Sequence, residues 1–499
     1  MKPSGFHFRS CLPALAPLLL AGCAVGPDYH HPAPPAVPLT SQPLPSATAP
    51  ANGMAQSFNP GADIAGDWWH LFQSPQLDTL IAGALKNNPS LAASQATLLE
   101  AEENVRAAQG TLLPTLSGSL GAEREKGSGA GLAAFGTGGG TSIPAYTLYN
   151  ASLSVSYSVD VFGGKRRQIE NDAAQAEYER WELEASYLTL TSNIVTAAVN
   201  EASLNAQIEA TQKLIGDERQ LLAILQTQVS LGGVAQAQVL QQQSTLAQQE
   251  ATLPPLQSQL AQAQNQMAAY AGEFPGNFHL RSFTLADLTL PTDLPVSLPS
   301  AIVAQRPDIA AAAAQLHAAS ANVGVADANM LPQVTLSAEI GHEALTTGTL
   351  FTPQTLLWNL VAGVTQPLFE GGTLSAQRKS AIAALRVAGA QYQSTVISAF
   401  QNVADALSAL QYDADTLAAA QAARDAAQKS LQVTQAQYRL GGEPFSSVLT
   451  AEVTYQNALI TEVKAKAARL SDTAALYQAL GGGWWHRQDV TVQCCGVIP

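Results

Sequence analysis

The chain is short of charge, and the charge it has is mostly acidic. Only 12% of its 499 residues are Asp, Glu, Lys or Arg, and 24 basic against 38 acidic side chains leave a formal net of −14. Phosphate binding needs clustered Lys and Arg, and the one basic run is Lys165-Arg166-Arg167, which excludes nucleic acid as a partner. Cysteine is scarce. There are four, two of them adjacent as Cys494-Cys495, where a mutual bridge is strained, so no disulfide framework is expected and the pair reads as part of a dispensable tail. Eight histidines are scattered without metal-ligand spacing, and His317 and His342 read as facing solvent or a lumen. No metal site, no cofactor and no catalytic residues are expected: there is no Gly-rich phosphate loop, no His-x-x-x-His and no Ser-His-Asp constellation in context, so the chain is not read as an enzyme. The apolar run Cys11 to Leu20 is too short to span a bilayer as a helix. With 46% apolar residues the chain is not disordered either.

That short apolar run fits the core of a secretory signal, preceded by only Lys2 and Arg9 and closed by Leu20-Ala21-Gly22-Cys23. Small residues before a cysteine resemble a bacterial lipobox, in which residues 1–22 are removed and Cys23 is acylated. Ala24 follows where an Asp would signal retention at the inner membrane, which favours the outer membrane. Residues 23–62 are proline-rich and cannot propagate a helix, so they read as an extended, lipidated tether.

Beyond the tether the chain says nearly the same thing twice. Asn88-Pro89 with Pro114 is answered by Arg306-Pro307 with Pro332. Phe162-Gly163-Gly164 is answered by Phe369-Glu370-Gly371-Gly372, and Leu231-Gly232-Gly233 by Leu440-Gly441-Gly442. The first copy occupies 63–272, with a strand pair in 115–160 and a long helical hairpin in 165–271. A linker at 273–300 leads to the second copy at 301–483, with a strand pair in 333–369 and a hairpin in 373–480. Residues 484–499 form a tail. Duplication of such a unit points to a ring-like assembly.

Each copy has two stretches of period-two alternation. In the first, Leu153, Val155, Tyr157 and Val159 alternate with serines; in the second, Trp358, Leu360, Ala362 and Val364 carry the pattern. Phe135, Tyr146, Tyr149, Phe351 and Trp358 near the loop ends suit a membrane-interface girdle. Four strands cannot close a barrel, and an open sheet edge is intolerable in lipid, so transmembrane strands require a barrel shared between chains; three chains give twelve strands. From Gly164 to Gly232 there is no proline, which allows a helix of about 100 Å at 1.5 Å per residue. The second copy has a matching run. Pro254-Pro255 predicts a kink or break in the first returning helix.

Taken together, these features resemble the outer-membrane efflux protein family, TolC-like, and within it the lipoprotein branch of OprM and NodT type. Cys23-Ala24-Val25-Gly26-Pro27-Asp28-Tyr29 matches that branch just after cleavage. Asp160-Val161-Phe162-Gly163 and Pro367-Leu368-Phe369-Glu370-Gly371-Gly372 match the family's strand-to-helix joints. The resemblance implies a mainly α fold with a small β part. It would be a homotrimer, with a shared twelve-stranded barrel in the outer membrane lipid on a long α-helical periplasmic barrel. It also implies a passive exit duct for drugs or other small molecules, working with a periplasmic adaptor and an inner-membrane transporter of the resistance-nodulation-division class. Alternatives are the outer-membrane component of a type I secretion system or a structural coiled-coil lipoprotein. The family's gate and docking tip fall on Gly232, Gly233, Gln236 and Gln238 and on Tyr438, Gly441, Gly442, Glu443, Ser447 and Thr450. Hydrogen bonds among Tyr438, Ser447, Thr450, Gln236 and Gln238 are expected to replace the family's Arg–Asp pairs.

Overall fold

The computed structural model describes residues 24–40, 43–51, 53–126, 144–297 and 299–487. Cys23, Phe135, Cys494 and Cys495 lie outside them. The described chain is mostly helix, and its elements repeat in order. The first copy contains α1 (Pro75–Asn87), α2 (Pro89–Gly110), β2 (Thr115–Glu125), β3 (Tyr146–Val159), α3 (Gly164–Ser230) and α4 (Gln236–Ala271). The second contains α5 (Pro299–Gln305), α6 (Pro307–Ala328), β5 (Gln333–Ala344), β6 (Leu356–Thr365), α7 (Thr373–Arg439) and α8 (Phe445–Ala479). Helices α3 and α7 are each 67 residues long. Two short strands, β1 (Ser57–Pro60) and β4 (Asp293–Val296), precede the copies and separate them.

All four hairpin helices end in the same way. At Gly232 and Gly441 the backbone turns left-handed, with φ of 76° and 77°. The following amide reaches back to close the turn, Gly233 to the Gln228 carbonyl at 2.8 Å and Gly442 to that of Gln437 at 2.9 Å. This is the glycine-ended cap that satisfies otherwise orphaned carbonyls. Gly272 and Gly481 end α4 and α8 by the same device. The expected break at Pro254-Pro255 is absent, and α4 is assigned as helix straight through it. Both prolines are exposed, so the carbonyls they leave unbonded face water, which lowers the cost of keeping the helix.

The chain divides into two compact units. One contains residues 1–31, 99–177 and 314–390 and holds the four-stranded sheet, ordered β2-β3-β5-β6 and antiparallel throughout. The β3–β5 pair joins the two copies, with Leu153 opposite Ile340 and Val155 opposite Ala338. Ala101 and Val105 of α2 pack on Ala176 of α3 in this unit.

The other unit contains residues 32–98, 178–313 and 391–499. Its core includes Trp68 stacked on Tyr477, with ring centroids 5.3 Å apart, and the wholly buried Phe72, Leu77 and Ile81. Here β1 and β4 form a small parallel pair that strand periodicity did not reveal. At four residues each, with Pro60 and Pro295 inside, they are too short and too proline-rich to show alternation.

The proline-rich segment is extended, but it is strapped down. Thr48, Ala51 and Gln56 are buried, and Arg469 of α8 donates to Gln56 Oε1 at 2.9 Å and to Thr48 Oγ1 at 3.0 Å. The first residues of the expected tail are docked too. Trp484 Nε1 donates to the Gln305 carbonyl at 2.7 Å, and Arg487 lies over the Tyr187 ring and pairs with buried Glu184 at 3.1 Å.

Candidate conduit surfaces

The sheet has two unlike faces because its register keeps like residues together. One face carries Leu116, Leu120, Leu153, Val155, Leu336, Ile340, Trp358, Leu360 and Val364, most of them exposed; Leu120 is 83% exposed and Leu360 74%. Burying such a side chain is worth about 1.5–3 kcal/mol, so a face of them left in water would be costly. The opposite face is a ladder of hydroxyls. Ser117 and Ser154 lie 2.8 Å apart, as do Ser119 and Ser152, and Asn359 donates to Glu339 at 3.1 Å. Glu123, Glu125, Glu339 and Glu343 share that face, and no strand Lys or Arg does. Among the described residues, no further strand pairs with β2 or β6 at the outer edges of the sheet.

Three of the expected girdle aromatics fit the apolar side: Tyr149 and Trp358 by register, and Phe351, 72% exposed, in the β5–β6 connection. Tyr146 does not. It falls on the polar face, where its hydroxyl donates to Glu125 Oε2 at 3.1 Å. His342 is also better held than a solvent- or lumen-facing reading requires, with Nδ1 3.0 Å from Thr355 Oγ1 and its ring edge-on to Phe351.

The two strand-to-helix joints are built differently. In the first, Asp160 caps α3, its two carboxylate oxygens accepting from the amides of Lys165 and Arg166, both at 3.0 Å. A carboxylate at a helix N-terminus meets unpaired N–H groups and the positive end of the helix dipole. An Asp a few residues before a helix start is a capping signal that names this role, which the joint motif alone does not. Phe162 accepts at its carbonyl from the Val25 amide at 3.1 Å. Gly163 is left-handed, with φ of 76°, and a Cβ there would lie 2.7 Å from Ala24 Cα. Gly164 is half-buried. In the second joint Pro367 ends the extended run, Phe369 is 89% exposed, and Gly371 and Gly372 are left-handed with open space around them.

The residues after Cys23 are clasped beside the first joint. Gly26, with φ of 97°, packs so closely on Gly324 that neither position has room for a Cβ. Arg167 donates to the Val25 carbonyl at 3.0 Å and pairs with Asp28 and Glu170, both at 2.7 Å. Its hydrogen bond and charge hold the Asp28 carboxyl below the usual range. Glu170 continues to His317 at 2.9 Å, and Tyr29 stacks on that imidazole at 4.3 Å. His317 is therefore a rung in this clasp and does not simply face solvent.

At the glycine turns, the two hairpins of one chain meet through apolar side chains. Leu221 and Leu225 of α3, Val239 of α4 and Leu449 of α8 form one buried cluster, with Val234 and Phe445 against it. Tyr438, 43% exposed, leans on Phe445 with ring centroids 5.1 Å apart. Within the chain, the expected hydrogen bonds among the polar tip residues are replaced by local ones: Ser447 donates to Glu443 at 2.9 Å and Thr450 to the Ser446 carbonyl at 3.0 Å. Gln236 and Gln238 are exposed on the first turn of α4.

Among the described residues no helix is long and apolar enough to cross a membrane, and no group of three or more metal-ligating side chains gathers. A two-faced sheet with bare edges and a repeated long-helix hairpin are what a family comparison must account for. Residues 80–273 and 298–482 match the family model of the outer membrane efflux protein. The chain belongs to that family. It is 31% identical over 437 residues to the pyoverdine export outer membrane protein OpmQ of Pseudomonas aeruginosa, covering 86% of this chain and 90% of that protein. It is 28% identical to the cation efflux system protein CusC of Escherichia coli over 481 residues, covering 95% and 99%. Among solved structures it resembles the outer-membrane channel OprN with a TM-score of 0.82 at 25% identity, over 93% of this chain and all of that one. The Campylobacter jejuni CmeC channel shares the fold with a TM-score of 0.82 at 21% identity, over 94% and 96%. This efflux protein is an outer-membrane channel component that extends into the periplasm, and not an enzyme.

Proposed function

We propose that three copies of this chain assemble into one duct, and that the duct is the exit of a tripartite efflux pump. The carrying observation is the open sheet with a lipid-compatible face and two bare edges. Unpaired backbone groups are not tolerated in the hydrocarbon core, so β2 of one copy pairs with β6 of the next until the ring closes. Twelve strands result, with serines and glutamates inward. Cys23 carries the lipid, and the Val25–Tyr29 clasp follows it in the sequence.

The glycine-ended tips Gly232-Gly233 and Gly441-Gly442 meet a periplasmic adaptor, and an inner-membrane transporter of the resistance-nodulation-division class supplies the energy. Tyr438, Glu443, Ser447, Thr450, Gln236 and Gln238 surround the periplasmic aperture and meet their counterparts across the threefold axis. The joints of Phe162, Gly163, Gly164, Pro367, Phe369, Gly371 and Gly372 turn each strand into its helix. The relatives' names specify pyoverdine and cations, and the substrate here is a small molecule selected by the partner pump. The glutamates of the inner sheet face make the duct favour cations over anions. Planar-bilayer recording tests the reading: cation-selective conductance is expected, and Glu339→Gln with Glu343→Gln reduces the selectivity. A purified assembly that conducts no ions under any condition would contradict it.

A further inference from the structure

The duplication carries its own pattern for the seam between chains. Inside one chain, β3 closes the strand pair of the first copy and bonds β5, which opens the pair of the second. Strand β6 closes the second pair, and across the seam it meets β2 of another chain, which opens the first. Phe162 and Phe369 align β3 with β6, and Pro114 and Pro332 align β2 with β5. Both alignments keep apolar positions apolar: Leu153 falls on Leu360 and Val155 on Ala362, while Val334 falls on Leu116 and Ala338 on Leu120.

Carrying the β3–β5 register across by these alignments gives the β6–β2 register. Leu153 opposite Ile340 becomes Leu360 opposite Ala122, and Val155 opposite Ala338 becomes Ala362 opposite Leu120. Every residue keeps its face, whereas a one-residue slip would exchange the faces. The slope agrees as well. From Thr115 the ladder runs through Ser156, Ser337 and Val361, and by this register it enters the next copy at Gly121, six residues up β2. Over three chains that stagger inclines twelve strands by about 45°, the tilt of membrane-spanning strands.

The same register finds a partner for an isolated charge. Arg124 is the one Asp, Glu, Lys or Arg on the apolar face of the four strands. Its cross-strand neighbour is Thr147, and among the described residues it has no hydrogen bond or ion pair. Trp358, on the apolar face of β6 near the loop end, is 73% exposed and has no described ring against it. The transferred register sets these two opposite each other. An arginine over an indole face is a favoured cation–aromatic pair, and it gains strength as water is excluded. On the polar face, Asn359, which donates to Glu339, comes opposite Glu123.

We propose that Arg124 of one chain stacks on Trp358 of the next, and that this contact locks the seam in the register Leu360 opposite Ala122. The inference rests on the three-chain duct and adds the residues by which its chains recognise one another.

Disulfide trapping of the full-length protein in outer-membrane preparations tests the register, with single-cysteine variants as the blank for the native cysteines. Ala122→Cys with Leu360→Cys is expected to link chains about fivefold or more above Leu120→Cys with Leu360→Cys, the pair that a two-residue slip would favour. Preferential linking of the Leu120 pair overturns the register and leaves the three-chain duct standing. No link in either pair overturns the register too, and one chain per particle then overturns the duct with it. Arg124→Ala and Trp358→Ala are each expected to speed dissociation of the assembly in detergent about fivefold, and the double variant no further. Additive effects, or a Trp358→Ala rate equal to wild type because Arg124 meets only lipid phosphate, overturn the stack.

Discussion

The two helical hairpins have nearly the same length and the same glycine caps, yet they are fastened differently. In the first, α3 and α4 are joined by bonds between a carboxylate and a neutral or cationic partner. Gln242 donates to Glu218, Gln264 to Glu201 at 3.0 Å, and Arg219 to Glu250 at 2.7 Å. In the second, Arg424 of α7 pairs with Glu462 of α8 at 3.1 Å, and the buried Arg469 ties α8 to the N-terminal strap. The joints differ in the same sense, since the first is covered by residues 24 and 25 and the second is open. A duplicated unit thus yields two halves with the same elements, of which only the second is tied to the N-terminal strap through a buried arginine among the described residues.

The contrast can be broken at chosen positions. The largest effect is expected at Arg469→Ala. It removes two charged donors and leaves Gln56 and Thr48 buried without them, at about 3–4 kcal/mol. The matching Leu260→Ala in α4, a half-buried apolar position, should cost about 1 kcal/mol. Denaturant unfolding of the purified assembly measures both, and equal losses would erase the distinction between hairpins.

Next come the joints. Gly163→Ala must force a left-handed alanine into Ala24, so about 2–3 kcal/mol and release of the N-terminal clasp are expected, seen as protease cleavage near Tyr29. Gly371→Ala has the same backbone strain and open space, so about 1–2 kcal/mol and no new cleavage are expected. Asp160→Ala, which removes the α3 cap, should cost about 1–2 kcal/mol. The smallest effect belongs to Arg219→Ala. Its partner Glu250 and the guanidinium are both well exposed, so the loss stays under about 1 kcal/mol and fades with added salt.

Much of this fold can be read from local pattern. Serine alternation gives both faces of the sheet, and the absence of proline between Gly164 and Gly232 gives α3 its length. Glycine pairs give the turns because a left-handed residue is required there. What local pattern cannot give is partners. Gln56 and Arg469 lie far apart in the chain, and neither carries a signal that names the other. The same holds for Trp484 on Gln305. The strap reads as an extended tether and the end of the chain as a tail because proline and composition report on helix propensity, not on docking. At the tip, the polar residues are legible as exposed, whereas the seam of Val239 and Leu449 with Phe445 is a partnership that no local pattern names.

The central claim is that the bare edges of the four-stranded sheet are closed by other copies of the same chain. Native mass spectrometry of the lipidated protein released from nanodiscs counts those copies directly. Three chains per particle, with no smaller species surviving until the barrel unfolds, is the predicted result. A particle containing one or two chains that still conducts ions would contradict it.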